Sequence, residues 1–147
     1  MQIYIGSDHA GYDMKEMIQA HLKQSDHSVV DLGTFDGVSK MDYPDIAREV
    51  GEKVNENPDS IGVLVCGSGM GVCIAVNKVK GIRGVTIHDE NTAKLAKQHN
   101  NANVICLGQR VLKMEEAAGI VDAYLKAEFE GGRHERRVDK ITALENA

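Results

Sequence analysis

Cysteine, glycine and the start of a helical pattern coincide once in this sequence, at Cys66-Gly67-Ser68-Gly69-Met70-Gly71. Glycines let a backbone turn sharply and come close to a ligand. The apolar run Ile61-Gly62-Val63-Leu64-Val65 precedes the loop and a helix-like pattern follows it. Free N–H groups at that helix start therefore face the mouth of the loop. Such groups bind anions and stabilise a developing oxyanion. The same positive end favours the thiolate of Cys66. A thiolate beside oxyanion donors suits proton abstraction next to a carbonyl. The plainer reading is a structural turn holding a half-buried cysteine. Spacing removes other chemistries. The pattern is Gly-x-Gly-x-Gly and follows the third strand, not the first, which argues against a dinucleotide fingerprint. No Gly-Lys-Ser/Thr follows, so a nucleotide-triphosphate P-loop is excluded. A cysteine phosphatase needs an arginine where Val72 stands.

Asp8-His9 is a second candidate, an acid and an imidazole at a strand end that can bind sugar hydroxyls or an anion. Its alternative is a helix N-cap aspartate beside an exposed histidine. His99-Asn100 closes a helical pattern, where His99 either serves as an acid–base group or complements the helix dipole. Arg133 and Arg137, four apart in Gly132-Arg133-His134-Glu135-Arg136-Arg137, share one helix face and can clamp a phosphate. The alternative there is a solvated helix pairing with Glu130 and Glu135. Arg110, after the fifth strand, is a further anion ligand, whereas Arg136 faces away. Cys73 and Cys106 read as core residues, and His21, His27 and His88 as exposed or structural. No His-x-x-x-His spacing occurs and the cysteines are scattered, so no metal and no cofactor are expected.

The elements that position these groups alternate. Strands are expected at 3–5, 29–32, 61–65, 85–87 and 104–107, each followed by a helical pattern. Pro44 suits a helix start and Asn57-Pro58-Asp59 a break. Strands with little polar alternation are usually buried on both faces. The expected fold is α/β: one three-layer αβα sandwich spanning 1–147, Rossmann-like, with a five-stranded, mostly parallel sheet in the order 2-1-3-4-5. That order puts a switch point between strands 1 and 3, and so brings the Asp8 and Cys66 loops to one edge.

Bulk composition narrows the partners. The 147 residues suit one core, and 42% hydrophobic with 27% charged residues is an ordinary globular balance. A net charge of -5 disfavours general nucleic-acid binding. No apolar run reaches membrane-span length, and Met1-Gln2-Ile3-Tyr4-Ile5 reads as a strand and not as a signal peptide. Three cysteines without a Cys-x-x-Cys fit a reducing, cytoplasmic setting.

The ordered set of motifs resembles the type B ribose-5-phosphate isomerases, the sugar-phosphate isomerase family that also holds the galactose-6-phosphate isomerase subunits. The resemblance runs from Gly6-Ser7-Asp8-His9-Ala10-Gly11 through Asp42-Tyr43-Pro44, the Cys66 loop, Asn77-Lys78 and Gly81-Ile82-Arg83. It continues through Gln98-His99-Asn100 and Gly108-Gln109-Arg110-Val111 to Glu130-Gly131-Gly132-Arg133-His134. It implies a metal-independent aldose–ketose isomerase acting on a small phosphorylated sugar, as a homodimer or dimer of dimers with shared sites. Under it, Cys66 is the base and the amides from Gly67 through Ser68, Gly69 and Met70 to Gly71, with the Ser68 side chain, form the oxyanion hole. His99 opens the sugar ring, assisted by Asp8, while Tyr43 and Asn100 hold the open chain. His9, Arg110, Arg133 and Arg137 take the phosphate, and the C-terminal helix packs on a partner subunit. Six-carbon substrates (allose 6-phosphate or galactose 6-phosphate) and a non-catalytic sugar-phosphate sensor are the alternatives.

Overall fold

The computed structural model describes residues 1–147. Five strands form the centre: β1 (Gln2–Ser7), β2 (Ser28–Asp31), β3 (Ile61–Cys66), β4 (Gly84–Thr86) and β5 (Val104–Gly108). Six helices surround them: α1 (Tyr12–Lys23), α2 (Tyr43–Glu56), α3 (Met70–Val76), α4 (Glu90–Asn100), α5 (Met114–Lys126) and α6 (Arg133–Leu144). All neighbouring strands are parallel. No helix is long and apolar enough to cross a membrane.

The sheet order is β2-β1-β3-β5-β4, which corrects the expected 2-1-3-4-5 at its last two places. Burial gives the reason. Every residue of β3 and β5 is buried, so these strands need cover on both faces and take the interior. The three residues of β4 are only half-buried and suit an edge. The other edge strand, β2, alternates exposed and half-buried residues, so the expectation of burial on both faces fails at both edges. The switch point between β1 and β3 stands as expected, because the chain leaves these neighbours in opposite directions.

The two faces carry separate apolar clusters. One, of 19 buried residues, joins Ile3, Ile5, Val63 and Ile105 to α1, α4 and α5. The other, of 11, joins Tyr4, Leu64, Cys66 and Cys106 to α2 and α3. The Tyr124 hydroxyl, buried in α5, donates to the carbonyl of Ala102 just before β5. Helix α6 stands apart: only His134 and Val138 are buried, and Ile141 and Leu144 are exposed.

One charged side chain inside this frame is wholly cut off from solvent. Lys15 is fully buried, its Nζ 2.6 Å from Asp31 Oδ2 and 2.9 Å from Glu16 Oε1. Asp31 also accepts from the Gly33 amide at 2.9 Å, so it fixes the turn that leaves β2. Removing one partner of a buried pair strands the other charge. Asp31→Ala is therefore expected to cost about 3–5 kcal/mol of stability. Lys15→Met keeps the stem, leaves Asp31 hydrogen-bonded, and should cost less. Urea unfolding of the two variants checks the order, with equal losses counting against it.

Candidate active site

The carboxyl ends of β1, β3 and β5 surround a cavity of about 430 Å³ lined by Asp8, His9, Tyr43, Cys66, Gly67, Ser68, Gly71 and Arg110, with Ala10 and Val111. Its floor is the Cys66 loop. Gly69 has φ 76°, and a Cβ on it would meet the Leu107 carbonyl carbon at 2.8 Å. A Cβ on Gly108 would meet the carbonyl carbon and oxygen of Ser68 at 2.5 Å. The two loops thus touch backbone to backbone, which only glycine permits. Hydrogen bonds lace them: the Gln109 amide donates to the Cys66 carbonyl and the Arg110 amide to the Gly67 carbonyl, both at 2.9 Å. The Thr86 hydroxyl reaches from β4 to the Gly69 carbonyl at 2.8 Å.

Cys66 ends β3 and is buried at 4% exposure, yet it lines the cavity. The Gly69 amide donates to its sulfur at 3.1 Å, so negative charge on sulfur meets an N–H dipole. The Met70 amide donates to the Ser68 hydroxyl at 3.1 Å. Both amides are thereby used internally. Those of Gly67, Ser68 and Gly71 make no hydrogen bond within the chain and are the ones left for a ligand. Helix α3 has only seven residues, so the local donors outweigh any long helix dipole at this loop.

Asp8 does two things at once. Its Oδ1 accepts from the Gly11 amide at 3.1 Å and caps a short 3-10 turn, while the residue, 7% exposed, also lines the cavity. The Met41 amide donates to Nδ1 of His9 at 3.3 Å. That assigns the proton of a neutral ring to Nε2 and makes this nitrogen a donor. Arg110 lies over Gly67, where a Cβ would stand 3.2 Å from Nη1. The Tyr43 ring packs against Gly71, with a Cβ there 2.6 Å from the ring.

Four expected site residues lie elsewhere. Helix α4 ends at Asn100, just before β5 begins, whereas Cys66 pairs with Gly108 at the far end of β5. His99 and Asn100 are therefore at the amino edge, roughly 13 Å of strand away from the Cys66 loop. Arg133 and Arg137 sit on α6, which packs against α4. They share a helix face as expected and do not line the Cys66 cavity within this chain.

At the amino edge the structure brings His99 together with Glu130 and His134, a grouping not expected from the sequence. Glu130 Oε1 lies 3.6 Å from His99 Nε2 and 3.5 Å from His134 Nε2. The two rings stack with centroids 4.3 Å apart. Burial lowers the pKa of His134, and the charges near it at His99 and Arg133 push the same way. The signal available beforehand was Glu130-x-x-x-His134. Cys106 is core, with its thiol pushed up by burial. Cys73, expected in the core, is half-buried; hydrogen bonding from Cys106 chiefly, against the opposing effect of burial, holds it at about 6. Its sulfur contacts the Gly84 carbonyl at 3.4 Å, outside the cavity lining.

Comparison with known proteins places this geometry. Residues 3–141 match the family model described as Ribose/Galactose Isomerase. A probable ribose-5-phosphate isomerase B of Mycoplasma genitalium is 51% identical over 97% of this chain and 95% of its own. Ribose-5-phosphate isomerase B of Escherichia coli is 44% identical over 98% and 96%. The crystal structure of the Mycoplasma genitalium ribose-5-phosphate isomerase B with bound ribulose-5-phosphate superposes with a TM-score of 0.95 at 50% identity. It covers 99% of this chain and 96% of that one. With a matching family model across most of its length and relatives of this identity, the chain belongs to the ribose/galactose isomerase family.

Proposed function

We propose that this chain interconverts D-ribose 5-phosphate and D-ribulose 5-phosphate through an enediolate, without a metal. The observation that carries the reading is the Cys66 loop itself: a thiol, three unused amides and Arg110 converge on one cavity. The identity with isomerase B relatives supports the substrate, and a relative of the same fold holds ribulose-5-phosphate.

The chemistry follows from the groups. The Cys66 thiolate removes the C2 proton of the open-chain aldose and returns it to C1. The electron pair moves onto the carbonyl oxygen, where the amides of Gly67, Ser68 and Gly71 meet it. A proton exchanges between the two oxygens, and no redox partner is consumed. Ring opening needs a further acid–base group, assigned to His99 with Asp8 assisting. Tyr43 and Asn100 hold the open chain. His9, Arg110, Arg133 and Arg137 hold the phosphate, whose binding energy orients the reacting carbons.

The cavity of one chain gathers Cys66, the loop amides, Asp8, His9, Tyr43 and Arg110, but not the rest of this set. The remainder, His99, Asn100, Arg133 and Arg137, comes from a second copy of the chain. Exposed apolar side chains support that arrangement. Met70, Ile74 and Val111 surround the loop uncovered, and α6 exposes Ile141 and Leu144. Helix α6 is accordingly assigned to pack on the partner within one isomerase domain, 1–147. The free cysteines fit the cytoplasm.

A panel of ribose, allose and galactose phosphates, run with a chelator, tests reaction and sugar length. Conversion of ribose 5-phosphate by this chain alone is expected, and binding without turnover would leave only a sensor. Cys66→Ala should lower turnover by roughly 10²–10⁴-fold and leave sugar-phosphate binding intact. Undiminished exchange of the C2 hydrogen with solvent in that variant removes Cys66 from its role. Arg137→Ala should cost roughly 1.5–3 kcal/mol of phosphate binding, read chiefly in KM. An equal loss of affinity for the unphosphorylated sugar counts against the clamp. Gly108→Ala must displace the Ser68 backbone, and a shift of about 1 Å there should cost roughly 10²-fold in kcat. Mixing chains carrying Cys66→Ala with chains carrying His99→Asn should restore turnover that neither has alone. No recovery means that each site is built from a single chain.

A further inference from the structure

We infer that His99, Glu130 and His134 form a site for a zinc-class divalent cation, and that an ion there switches the enzyme off by occupying His99. The second half rests on the proposed role of His99; the first does not.

The geometry carries the site. The ligand atoms of the three residues all lie within 4.8 Å of one another. Zinc bonds of about 2.0–2.1 Å in tetrahedral array hold neighbouring ligand atoms about 3.3–3.4 Å apart. Two edges of the triangle, at 3.6 and 3.5 Å, already approach that spacing. The third edge closes by turning His99, whose side chain is 38% exposed, out of its stack on the His134 ring so that both nitrogens face one point. The backbone brings the ligands together without help from the ion. The Glu130 amide donates to the Gln98 carbonyl at 3.0 Å and ties this segment to the end of α4. The Gly131-Gly132 turn, at φ 66° and 55°, then returns His134 beneath Glu130.

The donor set selects the ion. Two imidazoles and one carboxylate suit zinc, nickel or copper and not magnesium, which prefers oxygen alone. Two His and one Glu leave a fourth position open, as in a site that exchanges its ion. The guanidiniums of Arg133 and Arg137 act on the same cluster and oppose a cation. Binding weaker than that of a resident metal is therefore expected, which fits reversible control. Once Nε2 of His99 binds the ion it has no lone pair for proton transfer.

The test uses the chelator-stripped protein, titrated with Zn²⁺ by calorimetry and with Co²⁺ by absorption. One ion per chain is expected, with a Co²⁺ spectrum free of thiolate-to-metal charge transfer. Glu130→Gln alters an exposed side chain and should leave folding intact; His134→Asn tests the second ligand. Each should weaken binding roughly tenfold or more. Inhibition of ribose 5-phosphate turnover by Zn²⁺ should weaken in parallel and reverse on chelation. Absence of 1:1 binding, wild-type affinity in both variants, or a thiolate band overturns the site and leaves the isomerase reading untouched. Stoichiometric binding at this site without inhibition overturns the switch and removes His99 from ring opening.

Discussion

Parallel pairing of β3 with β5 is the constraint on which the rest depends. Cys66 stands opposite Gly108, and the chain beyond each strand must turn within the same few ångströms. Without a side chain at Gly108 and with a left-handed Gly69, the two turns close onto each other's backbone. The Cys66 and Gly67 carbonyls then accept the Gln109 and Arg110 amides, so the loop cannot move without breaking the β5 turn. The amides of Gly67, Ser68 and Gly71 stay unbonded because the loop's other hydrogen bonds are already committed. Preorganised donors of this kind need no reorganisation when charge develops. Rigidity here comes from strands, not from the short helix that follows.

Most of the fold was legible because hydrophobic periodicity reports burial directly. All five strands fall within a residue or two of the expected places. Their order was legible only as far as the switch point. Connection order suggests that β4 lies next to β3, but the fully apolar Val104-Ile105-Cys106-Leu107 competes better for the interior than Gly84-Val85-Thr86. Strand apolarity was the available signal, and it outweighs chain order. Within the site, local motifs with a loop geometry of their own (Asp8-His9 and the Cys66 loop) could be read as neighbours, since topology alone brings them to one edge. His99 and the α6 arginines could not. Their distance from Cys66 depends on which edge α4 ends at and on how α6 packs, and neither leaves a local pattern.

The division of the proposed site between two edges has a physical logic. A parallel α/β sheet offers its loops for chemistry at the carboxyl edge, while the amino edge is filled by helix ends. The carboxyl edge here already carries a thiol, an acid, an imidazole and a guanidinium in one cavity. Further cations and another imidazole packed there would repel Arg110 and lose their own hydration. In the proposed two-copy site they are held on α4 and α6 of a separate copy and keep their solvent until assembly, for which the exposed apolar side chains around the Cys66 loop would provide a driving force.

The proposed assembly would also give the Glu130 carboxylate a consequence beyond its own edge. It is the one acid in a cluster otherwise made of His99, His134 and nearby guanidiniums. Its Oε1 stands 3.6 Å from one ring nitrogen and 3.5 Å from the other, so a small rotation of either ring brings it to hydrogen-bond length. A group assigned to open a sugar ring must both give and take a proton, and a neighbour that can hold either tautomer favours such exchange. The same carboxylate and the stacked His134 ring are what a borderline cation would find complementary. Proton exchange and metal capture therefore draw on one arrangement, and the opposing arginines set how far capture can go. Under the proposed roles, the positive charge assigned to the phosphate thus also keeps the imidazole available.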